Sequence, residues 1–203
     1  MKKEGSAGKI KILFKDKRFR VAALVLIVGI LVNQVTSWYI KSKYTSLPIL
    51  NDIITDNIPY LNLVWLYDLL SLLSLISFIV YAYKKDFEKA PFFLMLFGIS
   101  QLVRGIFIGL TPFGSPKLDS GLFKGSMFRE GIYPSGHTGF SFLAFLLSEG
   151  KMKVLFLILT ILIVATLLIA RGHYSIDIFS AIIFNYAIYE FGNRCFKNFR
   201  IKR

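Results

Sequence analysis

From Val154 to Ala170 the chain reads VLFLILTILIVATLLIA, seventeen residues without a charge and with two threonines as the only polar side chains. A helix needs about 20 apolar residues to cross the hydrocarbon core of a bilayer, and a helix that is apolar all round belongs in lipid or in a large protein core. Runs of this kind recur along the chain. Apolar residues make up 55% of its 203 positions and the mean hydropathy is +0.58, against roughly 45–50% apolar in soluble domains. The pattern predicts an all-α, polytopic membrane protein with six helices, at about 20–40, 61–83, 90–112, 137–148, 152–170 and 174–192. The fourth is short for a full crossing, so its polar start is expected at membrane depth, where non-helical backbone is tolerated only inside protein or beside a wet cavity.

The basic residues orient these helices. Eighteen of the 25 Lys and Arg fall in segments 1–20, 84–89, 149–153 and the tail from Arg194, whereas six fall in the connections 41–60, 113–134 and 171–173. The positive-inside rule then puts both termini in the cytoplasm of a plasma (inner) membrane protein. The formal charge of +13 is accordingly read as a means of holding anionic lipid, not nucleic acid. Residues 1–19 form a basic amphipathic cytoplasmic segment, 20–193 the membrane domain and 194–203 a basic cytoplasmic tail. The first apolar run is too long for a signal-peptide core and carries no A-x-A site, so it is expected to remain as a span. Cys195 is the only cysteine, which excludes an internal disulfide and a cysteine-based metal site. The connection 113–134, rich in Gly and Ser, is a candidate lid or substrate-contacting loop.

The only two histidines, His137 and His173, both fall at the non-cytoplasmic face, some 36 residues apart. In HYSID, His173 and Asp177 stand four apart at a helix start and share one face. An Asp that binds one imidazole nitrogen fixes the tautomer and raises the basicity of the other, which prepares a nucleophile or base. In PSGHT, Ser135 is a natural N-cap and Gly136 permits close backbone approach, so the free N–H groups of the helix start make a phosphate site. His137 stands beside that site as a proton donor, and Arg171 adds a fixed charge and a bidentate donor for phosphate oxygens. Together these residues supply the nucleophile, acid and charge neutralisation of a phosphoryl-transfer site.

YPSGHTG and RGHYSIDIFSA resemble the second and third signature motifs of the type-2 phosphatidic acid phosphatase superfamily. The pairing of SGHT with HYSID is most similar to the sphingomyelin synthase-like branch. LPILNDIITDNIP and RGIFIGLTP are weaker counterparts of that branch's Leu-Pro…Asp and Arg-bearing segments. The resemblance covers residues 47–190. It implies six membrane helices around the active site, no cofactor or metal, and a phosphohistidine. It further implies His173 as nucleophile, Asp177 as its orienting partner, His137 as acid, and Ser135, Gly136 and Arg171 as phosphate ligands. The implied activity is removal of phosphate from a phosphorylated lipid, or transfer of a phospho-headgroup to an acceptor lipid hydroxyl. The superfamily's Lys-x6-Arg-Pro has no counterpart in the chain, and Arg104 is the candidate to take over its phosphate contact.

Asp68 and Arg104 fall inside apolar runs, where an ionisable residue is functional by default. Counted from the outer helix ends both lie about 10–12 Å deep, which leads to the expectation of an Asp68–Arg104 pair. Tyr39, Tyr44, Tyr60, Tyr133 and Tyr174 are expected in an interfacial aromatic belt. Two other functions use the same residues: a zinc site built on the two histidines and an Asp, and a transporter or scaffold built on the intramembrane charges.

Overall fold

The computed structural model describes residues 13–84, 87–116 and 133–199. The first twelve residues, most of the 113–134 connection and the end of the tail lie outside the described residues, as do most of the expected amphipathic segment 1–19 and of the lid. Six long α-helices make up the described chain. We number them α1 (Lys17–Lys43), α2 (Val64–Lys84), α3 (Ala90–Leu110), α4 (Gly136–Leu147), α5 (Gly150–Ile169) and α6 (Ser175–Cys195). No strand occurs among the described residues.

Helices α1, α2, α5 and the stretch Phe87–Leu110 containing α3 are long and apolar enough to cross a membrane. Their outward surfaces are apolar, with Leu24, Ile27, Leu72, Ile79, Val154 and Ile161 all exposed, an arrangement compatible with lipid as the surrounding solvent. Two predicted spans differ. Helix α4, at twelve residues, is about 18 Å long, short of the roughly 30 Å hydrocarbon core. Helix α6 has the length but carries Asp177, Asn185, Glu190, Asn193 and Arg194 along it, and it falls outside the group of apolar, membrane-length helices.

Helix α4 sits inside, against α2, α3, α5 and α6. Its Leu143 and Ala144 are fully buried and join Phe78, Phe92, Leu96 and Phe156 in the main core. Phe140 stacks on Phe97 of α3 at 4.7 Å between ring centres. Hydroxyls tie the same helices together. Thr160 donates to Ser141 Oγ at 3.0 Å and Ser74 donates to the same atom at 3.2 Å. Across α3 and α6, Ser100 donates to Asn185 Oδ1 at 2.7 Å. Each such interhelical bond contributes about 0.6 kcal/mol in a bilayer.

Helix α1 packs on α3 through small residues. A Cβ on Gly29 would lie 2.4 Å from Gly98 O, and one on Gly105 would lie 2.8 Å from Asn33 N. Without an apolar driving force between helices in lipid, such close backbone approach supplies the attraction. Its functional consequence is to bring the Asn33 side chain within reach of the α3 residues Gln101 and Arg104.

Candidate active site

The two histidine motifs lie together where α4 and α6 begin. Ser135 is the N-cap of α4 and its Oγ accepts from Thr138 N–H at 3.3 Å. By helix geometry this leaves the N–H groups of Gly136 and His137 without intrahelical partners. One backbone bond joins the two motifs, with Ser135 N–H donating to Asp177 O at 3.1 Å.

Asp177 serves two groups at once. Its Oδ2 accepts the Tyr174 N–H at 2.9 Å, which caps α6, and lies 3.2 Å from His173 Nδ1. The pair is buried, His173 at 4% exposure and Asp177 at 0%. Fixing Nδ1 leaves Nε2 as the reactive nitrogen. The His137 ring stands across from it, with centroids 5.8 Å apart and ring planes at 68°. His137 is the open member, its side chain 31% exposed.

The expected Asp68–Arg104 pair gives way to two separate arrangements. Asp68 faces His137, Oδ1 to Nε2 at 3.4 Å, and is itself buried. Arg104 donates from Nε to Pro134 O at 3.0 Å and from Nη1 to Asn33 Oδ1 at 2.8 Å. The depth count placed both residues at one level of the bundle but carried no information about which way each turns around its helix. Arg104 therefore grips the segment leading into α4. A Cβ on Gly136 would come 3.2 Å from Arg104 Nε, so the glycine is what lets the guanidinium lie against the helix start. Arg104, Ser135 and Gly136 line a narrow recess between α3, α4 and α6.

Arg171 occupies the turn between α5 and α6 at φ 51°, in the left-handed region that glycine usually fills. Arg171 N–H donates to Leu168 O at 3.1 Å and Gly172 N–H to Leu167 O at 2.9 Å, closing α5 in a Schellman motif. Among the described residues, Arg171 Nε and Asp177 Oδ1 are buried polar atoms without a hydrogen-bond partner. Gln34 Oε1 and Ser71 Oγ are buried and unpaired in the same way. Tyr174, expected at the interface, is 1% exposed instead. Its hydroxyl accepts Leu50 N–H at 2.9 Å.

Sequence reasoning named LPILNDIITDNIP without giving Asp52 a role. Its carboxylate accepts the Ser175 N–H through Oδ2, and the Ile54 and Thr55 N–H groups through Oδ1 at 2.9 and 3.2 Å. Burial opposes the charge on Asp52, but the Ser175, Thr55 and Ile54 amides outweigh it and hold the carboxyl below its ordinary value. Asp52 thus clamps the α6 start, two residues from His173. Asn33 was also missed, as one of several polar residues (Gln34, Thr36 and Ser37 follow it) inside a predicted span. Among the described residues no three His, Cys, Asp or Glu side chains converge as a metal site requires.

The site therefore consists of two facing His–Asp pairs, His173–Asp177 and His137–Asp68, beside a capped helix start and Arg104, with Arg171 in the turn two residues before His173. Comparison with protein-family models and with curated proteins gives no match.

Proposed function

We propose that this chain is an integral-membrane lipid phosphatase that works through a phosphohistidine at His173. The observation that carries the reading is the 5.8 Å approach of two histidines, each beside its own carboxylate at 3.2 and 3.4 Å. A single His–Asp pair serves many structural ends. Two facing pairs supply a nucleophile and an acid for opposite sides of one phosphorus atom.

In the first step the Nε2 lone pair of His173 attacks phosphorus while Asp177 holds the proton on Nδ1. The bond from phosphorus to the lipid oxygen breaks, and that oxygen takes a proton from His137. Asp68 stabilises the protonated form of His137 before transfer. The Gly136 and His137 N–H groups, Arg104 and Arg171 neutralise the charge spread over the phosphoryl oxygens. A water molecule then loses its proton to His137, attacks phosphorus and releases phosphate from His173. Across the cycle the lipid oxygen gains a proton from His137, and water restores it.

In this reading all six helices lie within the membrane. Helix α4, too short to cross, is shielded by its neighbours, and α6 buries Asp177 and Asn185 against them. The basic segments put both termini in the cytoplasm and the histidines on the opposite side, at the depth of a lipid phosphate.

The test uses detergent-purified protein, EDTA and a panel of phosphorylated lipids, with His173→Ala as control. Phosphate release that persists in EDTA and disappears in the variant is the expected result. Appearance of a headgroup-exchanged lipid without free phosphate would replace hydrolysis by transfer. Activity that EDTA abolishes would overturn the mechanism.

A further inference from the structure

The connection between α1 and α2 exposes its largest apolar side chains while drawing two polar ones inside. Asp52 is 6% exposed and Thr55 1%, whereas Asn51, Asp56 and Asn57 are exposed. Its large apolar side chains are outside: Ile53 is 83% exposed, Ile49 69% and Leu61 54%. Exposing several isoleucines to water is unfavourable, and burying Asp52 and Thr55 is costly unless they are bonded.

Six backbone N–H groups of this segment are satisfied within the protein. Leu50 N–H goes to the Tyr174 hydroxyl, Asp52 N–H to Asp56, Ile54 and Thr55 N–H to Asp52, and Asp56 N–H to Asp52 O. Asn57 closes the turn from both its backbone and side-chain amides, onto Ile54 O and Ile53 O. Internal bonding of this kind is what non-helical backbone needs in order to sit in lipid rather than water.

The base of the loop fixes its level. Leu61 N–H donates to Ile169 O at the end of α5, and Pro48 O accepts from Gly114 just beyond α3, both ends of membrane-length helices. Its apolar surface continues into exposed Trp65, Leu69 and Leu72 of α2. We infer that residues 48–61 form a monotopic element seated in the membrane interface on the histidine side, with lipid acyl chains and headgroup carbons covering Ile49 and Ile53. Through Asp52–Ser175 and Leu50–Tyr174 the same element is fastened to the start of α6, so a lipid resting on it lies beside His173. The inference rests on the membrane reading of the chain and is independent of the chemistry at the histidines.

Site-directed nitroxide labelling tests it in nanodiscs of phosphatidylcholine and phosphatidylglycerol. Cys195 is the only native cysteine, so Cys195→Ser provides the background for Ile49→Cys and Ile53→Cys. Leu31→Cys on the exposed face of α1 is the lipid reference, and Lys151→Cys at the start of α5 the aqueous one. Power saturation compares accessibility to oxygen, which partitions into lipid, with that to a nickel chelate, which stays in water. The expected result is an oxygen-to-nickel ratio at both loop positions above that of Lys151→Cys and close to that of Leu31→Cys. A ratio equal to the aqueous reference, or low accessibility to both agents as under a protein partner, would overturn the inference while leaving the membrane reading intact. Nickel access at Leu31→Cys itself would remove the membrane reading and the inference with it.

Discussion

Replacing Arg171 by glycine should separate stability from activity. Arg171 ends α5 at φ 51°, where an L-residue costs about 1–2 kcal/mol. Glycine removes that strain but enlarges the unfolded ensemble, at about 0.5–1 kcal/mol. The Schellman bonds of residues 171 and 172 are made by backbone and survive the change. Arg171→Gly should therefore be as stable as the parent or more stable by up to about 1.5 kcal/mol. If Arg171 holds the phosphate, the variant also loses a charged hydrogen bond of about 1.5–3 kcal/mol, roughly a 10- to 100-fold drop in kcat/KM. Thermal unfolding in detergent and phosphate release from a lipid substrate read the two effects. Undiminished kcat/KM would refute the phosphate-ligand role. A loss of more than about 2 kcal/mol in stability would refute the strain argument, because the side chain would then be holding the turn.

Asp68→Asn should leave the fold intact and slow phosphate release by about 100-fold or more, the scale of a general acid; an undiminished rate would sever Asp68 from His137. Gly29→Ala should lower the unfolding temperature, by the equivalent of about 1–3 kcal/mol, because the new methyl meets the Gly98 carbonyl at 2.4 Å and backbone cannot move aside as a side chain can. Asp52 contributes stability that is complete above its ordinary pKa of 3.8 and is lost as pH falls through its lower folded-state value. In melts from about pH 6 to about pH 3, Asp52→Asn should accordingly show a smaller fall in melting temperature than the parent.

The positions of the helices were legible because each apolar run ends in basic or turn residues. Helix α3, expected over 90–112, covers Ala90–Leu110, and α4, expected over 137–148, covers Gly136–Leu147. His173–Asp177 was legible too, because a spacing of four within one helix determines a shared face. The partner of Asp68 was not. Depth along an axis says nothing about rotation around it, and His137 reaches Asp68 only once α4 has packed against α2. Tyr174 looked interfacial for the same reason that Asp52 looked like an ordinary loop residue. Both are polar groups near helix ends that tertiary packing buries, Asp52 against the start of α6 and Tyr174 against Leu50, Phe113 and Tyr133. The roles of Asn33 and Gly136 depend on the Arg104 side chain lying between them, which no spacing in the sequence records.

The central claim is that phosphate passes through His173. Protein incubated briefly with a lipid carrying radiolabelled phosphate, quenched in alkali and digested, should yield label on the peptide containing His173. That label should be stable in alkali and lost in mild acid, and it should be absent from His173→Ala. Turnover by His173→Ala, or label on any other residue, would contradict the account.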